Sequence, residues 1–60
     1  MTIHELAENW IQNDRTGTPS RITIEQATQM VGWMDPDTIE QLDDEITPES
    51  WMEAWNSIVE

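Results

Sequence analysis

Sixty residues make one small domain, and a chain of that length buries only about 60% of the surface its unfolded form exposes. Thirteen acidic residues stand against two arginines and no lysine, a net charge of -11, which opposes direct binding to nucleic acid or to an anionic membrane surface. Cysteine is absent, and with it any disulfide framework, thiolate zinc site or thiol nucleophile.

Only eleven residues are Ile, Leu or Val and none is Phe or Tyr, so the composition lies close to that of disordered chains. Four tryptophans (Trp10, Trp33, Trp51 and Trp55) and four methionines pull it back, since each indole can bury about 150–250 Å². The opening Met1-Thr2-Ile3-His4-Glu5-Leu6 lacks the basic flank and apolar core of a signal peptide. No apolar run approaches the roughly 18–20 residues of a membrane span. A soluble, cytoplasmic protein is expected.

The first helix signal is Thr2 with Glu5, the S/T-x-x-E capping box. Ile3, Leu6, Ala7, Trp10 and Ile11 then recur at the spacing of one helical face, predicting a helix over about 3–13. Residues 14–22 are polar, hold Gly17 and Pro19 and have no period, which reads as an internal loop. This loop carries both arginines, Arg15 and Arg21.

Thr23 and Gln26 form a second capping box, with Ile22 and Ala27 placed to staple the helix start. Ala27, Met30 and Val31 continue the apolar stripe over about 24–33, and Gly32 suits a left-handed residue closing the helix. Trp33 and Met34 then fold back onto the core. Asp35 before Pro36 reads as an N-cap with proline at the first helical position. It opens a third helix over about 36–45, with Ile39, Leu42 and Ile46 facing inward. Thr47-Pro48-Glu49 repeats that pattern and opens a fourth over about 48–59, where Ile46 is placed to staple against Trp51. Trp51, Met52, Ala54, Trp55, Ile58 and Val59 give it a wide apolar face. The fold expected is all-α, a compact bundle of four short helices, with the tight connections drawing the last three together.

From Ile22 onward there are ten acidic residues and no basic one. Asp37 and Glu49 fall at helix starts, where the dipole favours them. Asp43, Asp44 and Glu45 fall at the predicted end of the third helix, where negative charge costs roughly 0.3–1 kcal/mol each. Local rules broken without local compensation tend to mark function. The candidate partner-binding residues are therefore Asp35, Asp37, Glu40, Asp43, Asp44, Glu45, Glu49 and Glu53, with Trp51, or else Trp33, as an exposed aromatic anchor beside them. Carboxylates at i, i+3 and i+4 of a helix stand about 5–6 Å apart at Cβ, a spacing on the scale of neighbouring phosphates.

Residues 22–46, ITIEQATQMVGWMDPDTIEQLDDEI, resemble the helix-turn-helix of small excisionase-type DNA binders: a T-x-E-x-A helix, a Gly turn and a second helix. The recognition helix is charge-inverted. Asp37, Glu40, Asp43 and Asp44 stand where the major groove requires Arg, Lys, Asn or Gln, so the resemblance implies a fold and not DNA binding. Val31-Gly32-Trp33 with the helices after it is also similar to ubiquitin-associated three-helix domains. In size and charge the chain resembles the small acidic inhibitors that phages encode against CRISPR and restriction systems, which implies a host-cell cytoplasmic site of action.

No catalytic constellation is legible: one His, no Cys and no Lys leave paired carboxylates at most. Asp35 and Asp37 begin a calcium-loop spacing that fails at Ile39, Gln41 and Ile46. His4 and Glu8, one turn apart, lack further ligands. The expectation is a non-enzyme with no cofactor and no metal, monomeric or a small homo-oligomer. It would block the basic nucleic-acid-binding or target-recognition surface of a partner complex. The alternative is an antitoxin-like or adaptor module docking through Trp51, Trp55 and Met52, with charge serving solubility.

Overall fold

Thr2, Thr23 and Thr47 each stand one residue ahead of a helix, and each hydroxyl accepts the backbone N–H three residues on. Thr2 Oγ1 receives Glu5 N at 3.1 Å, Thr23 Oγ1 receives Gln26 N at 3.3 Å, and Thr47 Oγ1 receives Ser50 N at 3.1 Å. The last two caps are reciprocal. Thr23 N donates to Gln26 Oε1 at 2.9 Å, and Thr47 N to Ser50 Oγ at 2.9 Å. Each such cap satisfies donors that a helix start leaves unpaired, stabilising by typically ~1 kcal/mol.

The computed structural model describes residues 1–13 and 20–60. Its helices are α1 (Ile3–Asn13), α2 (Ile24–Trp33), α3 (Pro36–Glu40) and α4 (Pro48–Val59), and no strand forms among the described residues. The all-α bundle is as the sequence predicts. Of the loop expected over 14–22, residues 14–19 lie outside the described part.

Three local expectations need correction. Gly32 does not close α2 in a left-handed conformation; it sits inside the helix. The stop comes later and for another reason. Pro36 disfavours helical geometry at the residue before it, so Asp35 is extended (φ -67°, ψ 143°). Met34 is extended too (φ -71°, ψ 140°), its N–H turned back to Val31 O at 3.2 Å. Secondly, Asp35 takes the N-cap position of α3 without its side chain capping anything.

Thirdly, α3 ends at Glu40 and not near residue 45. Continuing it would require Asp43 N to donate to Ile39 O. Instead Asp43 N donates to Met1 O at 2.8 Å, and the Met1 ammonium donates to Gln41 O at 3.1 Å. The main chain of Met1 thus clasps the segment on both sides of Leu42, whose side chain is buried. A buried leucine and a tertiary clasp outcompete further helical turns. Of the inward residues expected on this helix, Ile39 is 37% exposed, while Leu42 is buried beyond the helix end and Ile46 packs partly against the core.

α4 is the hub. It packs against α1 and against α2, whereas α1 and α2 make no close backbone approach to each other and α3 makes none to any other helix, so the tight connections do not gather the last three helices into one bundle. The core consists of Ala7 from α1, Ala27 from α2, Met34, and Trp51 and Trp55 from α4. Trp51 is wholly buried, with ring centroids 5.5 Å from Trp10 at 61° and 5.9 Å from Trp55 at 53°. Tilted aromatic pairs of this kind add about 0.5–1.5 kcal/mol each beyond area burial. Alanine, fully buried on both flanking helices, lets the backbones close on the large indoles. The radius of gyration, 10.7 Å, is near the value of about 10.4 Å for a folded chain of this length. The charge has not swollen the molecule.

Side chains of α4 also fix the segment leading into α2. Asn56 Oδ1 accepts from Ile22 N at 2.8 Å, and Asn56 Nδ2 donates to Ile22 O at 3.2 Å. Trp55 Nε1 donates to Ser20 O at 2.8 Å.

Candidate partner-binding surface

A carboxylate on a short helix or a bend has few ways to be buried, and Asp37, Glu40, Asp43 and Asp44 are placed there. Asp37 and Glu40 lie three residues apart on α3, and the chain bends at Asp43 and Asp44 before Glu45 leads towards α4. Asp35, Asp37, Glu40, Asp43, Asp44, Glu45, Glu49 and Glu53 are all exposed. Asp44 therefore does not share a helical face with Asp37 and Glu40, and among the candidate carboxylates the helical phosphate-like spacing applies to Asp37 with Glu40 on α3 and to Glu49 with Glu53 on α4.

The early end of α3 also changes the energetics. Asp43, Asp44 and Glu45 do not form the final turn of a helix, so the dipole penalty expected there does not act on them as supposed. Asp43 Oδ2 lies 3.4 Å from the Met1 ammonium, an exposed ion pair worth at most about 1 kcal/mol. Glu49 is in the first turn of α4, where the dipole favours it. Glu53, four residues on, faces Glu49 with like charge and destabilises by roughly 0.2–0.5 kcal/mol. Among the described residues the other ion pairs lie elsewhere: Arg21 with Glu60 at 3.1 Å, and His4 with Glu8 at 3.8 Å when the imidazole is protonated. No group of three or more His, Cys, Asp or Glu among them could hold a metal ion.

The aromatic anchor is corrected. Trp51 is completely buried at the centre of the core, where no partner can reach it, because α4 turns it between Trp10 and Trp55. Its Nε1 is the one buried side-chain nitrogen or oxygen among the described residues without a hydrogen-bond partner. Trp55 is 4% exposed, so a docking face made of Trp51, Trp55 and Met52 does not exist. Trp33 is the exposed indole, at 72%, and does not fold back onto the core as Met34 does.

Trp33 forms part of an open groove of about 460 Å³. One wall is α1, through Leu6, Asn9, Trp10 and Asn13; the other is the end of α2 and the start of α3, through Trp33, Met34, Asp35 and Thr38. The groove lies where α1 and α2 both seat on α4 with no close backbone approach between them. No local sequence pattern encodes a gap between two helices, so the groove is legible only in the fold. No helix of the described residues is long and apolar enough to cross a membrane. No protein-family model, curated protein or solved structure matches the chain.

Proposed function

We propose that this protein is a non-catalytic acidic binder that occupies the basic, nucleic-acid-binding surface of a partner protein complex and thereby blocks it. CRISPR and restriction complexes are the partner class that its size and charge suit. One observation carries the reading: of the seven carboxylates between Asp35 and Glu49, all exposed, only Asp43 has a cationic partner among the described residues. Two carboxylates about 6 Å apart repel by roughly 0.7 kcal/mol even in bulk water. A Lys- or Arg-lined surface reverses the sign of that term and draws the protein in from a distance.

The test is capture of partners from nuclease-treated host lysate on the immobilised protein. The proposal expects captured protein to be released by duplex nucleic acid. Salt should release it too, since the Debye length falls from about 10 Å at 0.1 M to about 3 Å at 1 M. Combining Asp37→Lys, Glu40→Lys and Asp44→Lys should abolish capture while helicity by circular dichroism persists. Capture that survives the triple substitution, or that nucleic acid fails to reverse, overturns the reading.

A further inference from the structure

The groove between α1 and the α2–α3 junction has a chemistry that the acidic face does not share. Its volume of about 460 Å³ falls within the range of ligand sites, about 300–1,000 Å³. Two indoles line it, Trp10 half-buried and Trp33 exposed. In a chain so poor in apolar residues, an indole left 72% in water forgoes burial that the core could have used.

Asp35 forgoes a second stabilisation. At an N-cap with extended backbone, an aspartate ordinarily turns back to bond an N–H of the first helical turn. Here it makes no such bond, and its residue lines the groove together with both indoles. Among the described residues no cationic side chain lines the groove and none pairs with Asp35.

We infer that this groove is the seat of an arginine side chain from the partner protein, stacked on the indoles of Trp10 and Trp33 with its guanidinium charge answered by Asp35. The inference rests on the basic-partner reading and names its anchor. Charge complementarity selects the occupant. An aromatic face attracts a cation, a planar guanidinium stacks on indole while still donating in its own plane, and a carboxylate can take two of those donors. The amide of Asn9 and the hydroxyl of Thr38, also in the lining, offer further acceptors. A purely apolar occupant would leave the Asp35 carboxylate desolvated and unpaired, which disfavours it.

The test uses the full chain, isotope-labelled, titrated with a short capped peptide carrying arginine among glycines and with its citrulline counterpart, which keeps the shape and lacks the charge. Expected are saturable shifts of the Trp33 and Trp10 indole N–H resonances with the arginine peptide and none with the citrulline peptide. Trp33→Ala and Asp35→Asn should each weaken the arginine peptide by about tenfold, the scale of one desolvated cation–π or charge-assisted contact. Glu25→Gln, on an exposed part of α2 outside the groove, should leave affinity unchanged. Because Trp33 is exposed, its removal should not unfold the protein, and circular dichroism checks this. Equal binding of the two peptides overturns the proposal. So do shifts confined to the backbone amides of residues 43–45 with the indoles silent, an outcome that leaves the broader basic-partner reading standing. Absence of any response overturns the groove, while the lysate test decides the broader reading separately.

Discussion

Asn56 holds Ile22 by both halves of its amide, receiving the backbone N–H and donating to the backbone carbonyl. It acts as a length of neighbouring strand would. Asn56→Leu keeps comparable bulk but leaves both Ile22 groups, partly buried, without partners, at about 1–3 kcal/mol for such a group. Chemical denaturation should register a loss of that order, large for a domain this small. Gly32 is the opposite case. It is the penultimate residue of α2, in helical conformation, and a methyl group built there meets no atom within 4 Å beyond its chain neighbours and its own helix backbone. Gly32→Ala should therefore stabilise by up to about 1 kcal/mol, raising the thermal midpoint by roughly 4–8 °C. An unchanged or lower midpoint in calorimetry would show that the glycine is required for its backbone after all.

At the level of the helices, every start and the ends of α1, α2 and α4 were legible, and the end of α3 was not. Every start carries its own chemistry within four residues: a threonine hydroxyl and its acceptor partner, or proline at the first position. The end of α3 is set by Met1, forty residues away in sequence, and no window along the chain contains that information. The bound of α2 was right but its cause was not: Gly32, a residue typical of helix ends, was given the closing role when Pro36 was the residue that counted. α4 offers a way to separate stability from binding. Glu53 repels Glu49 across one helical turn, so Glu53→Lys converts a like-charge pair into the favourable Glu-to-Lys order, a gain of roughly 0.5–1 kcal/mol when both pair terms are summed. The substituted protein should melt higher yet capture its basic partner less well, and parallel melting and capture assays would expose either failure.

Across the whole molecule, the sequence announced the charge and hid the cavity. Exposed carboxylates follow from composition alone, because a chain with thirteen of them and so small a core has nowhere to bury them. Which tryptophan stays outside depends on how α1 and α2 share one hub. Trp51 and Trp55, four residues apart on α4, point into both flanking helices, and Trp10 closes over Trp51. Trp33, the last residue of α2, lines the groove between α1 and the α2–α3 junction and stays exposed. The apolar stripe alone gave no means of ranking them.

Leaving one indole in water amid so much negative charge has an optical consequence. Of the four fluorophores, Trp51 and Trp55 are shielded by the fold and Trp10 partly so, while Trp33 lies open to collision with dissolved quenchers. Caesium, a cation enriched in the protein's own field, should dim the red-shifted part of the emission more strongly than iodide, which that field repels. The difference should shrink as inert electrolyte is added, and replacing Trp33 by phenylalanine should remove most of it.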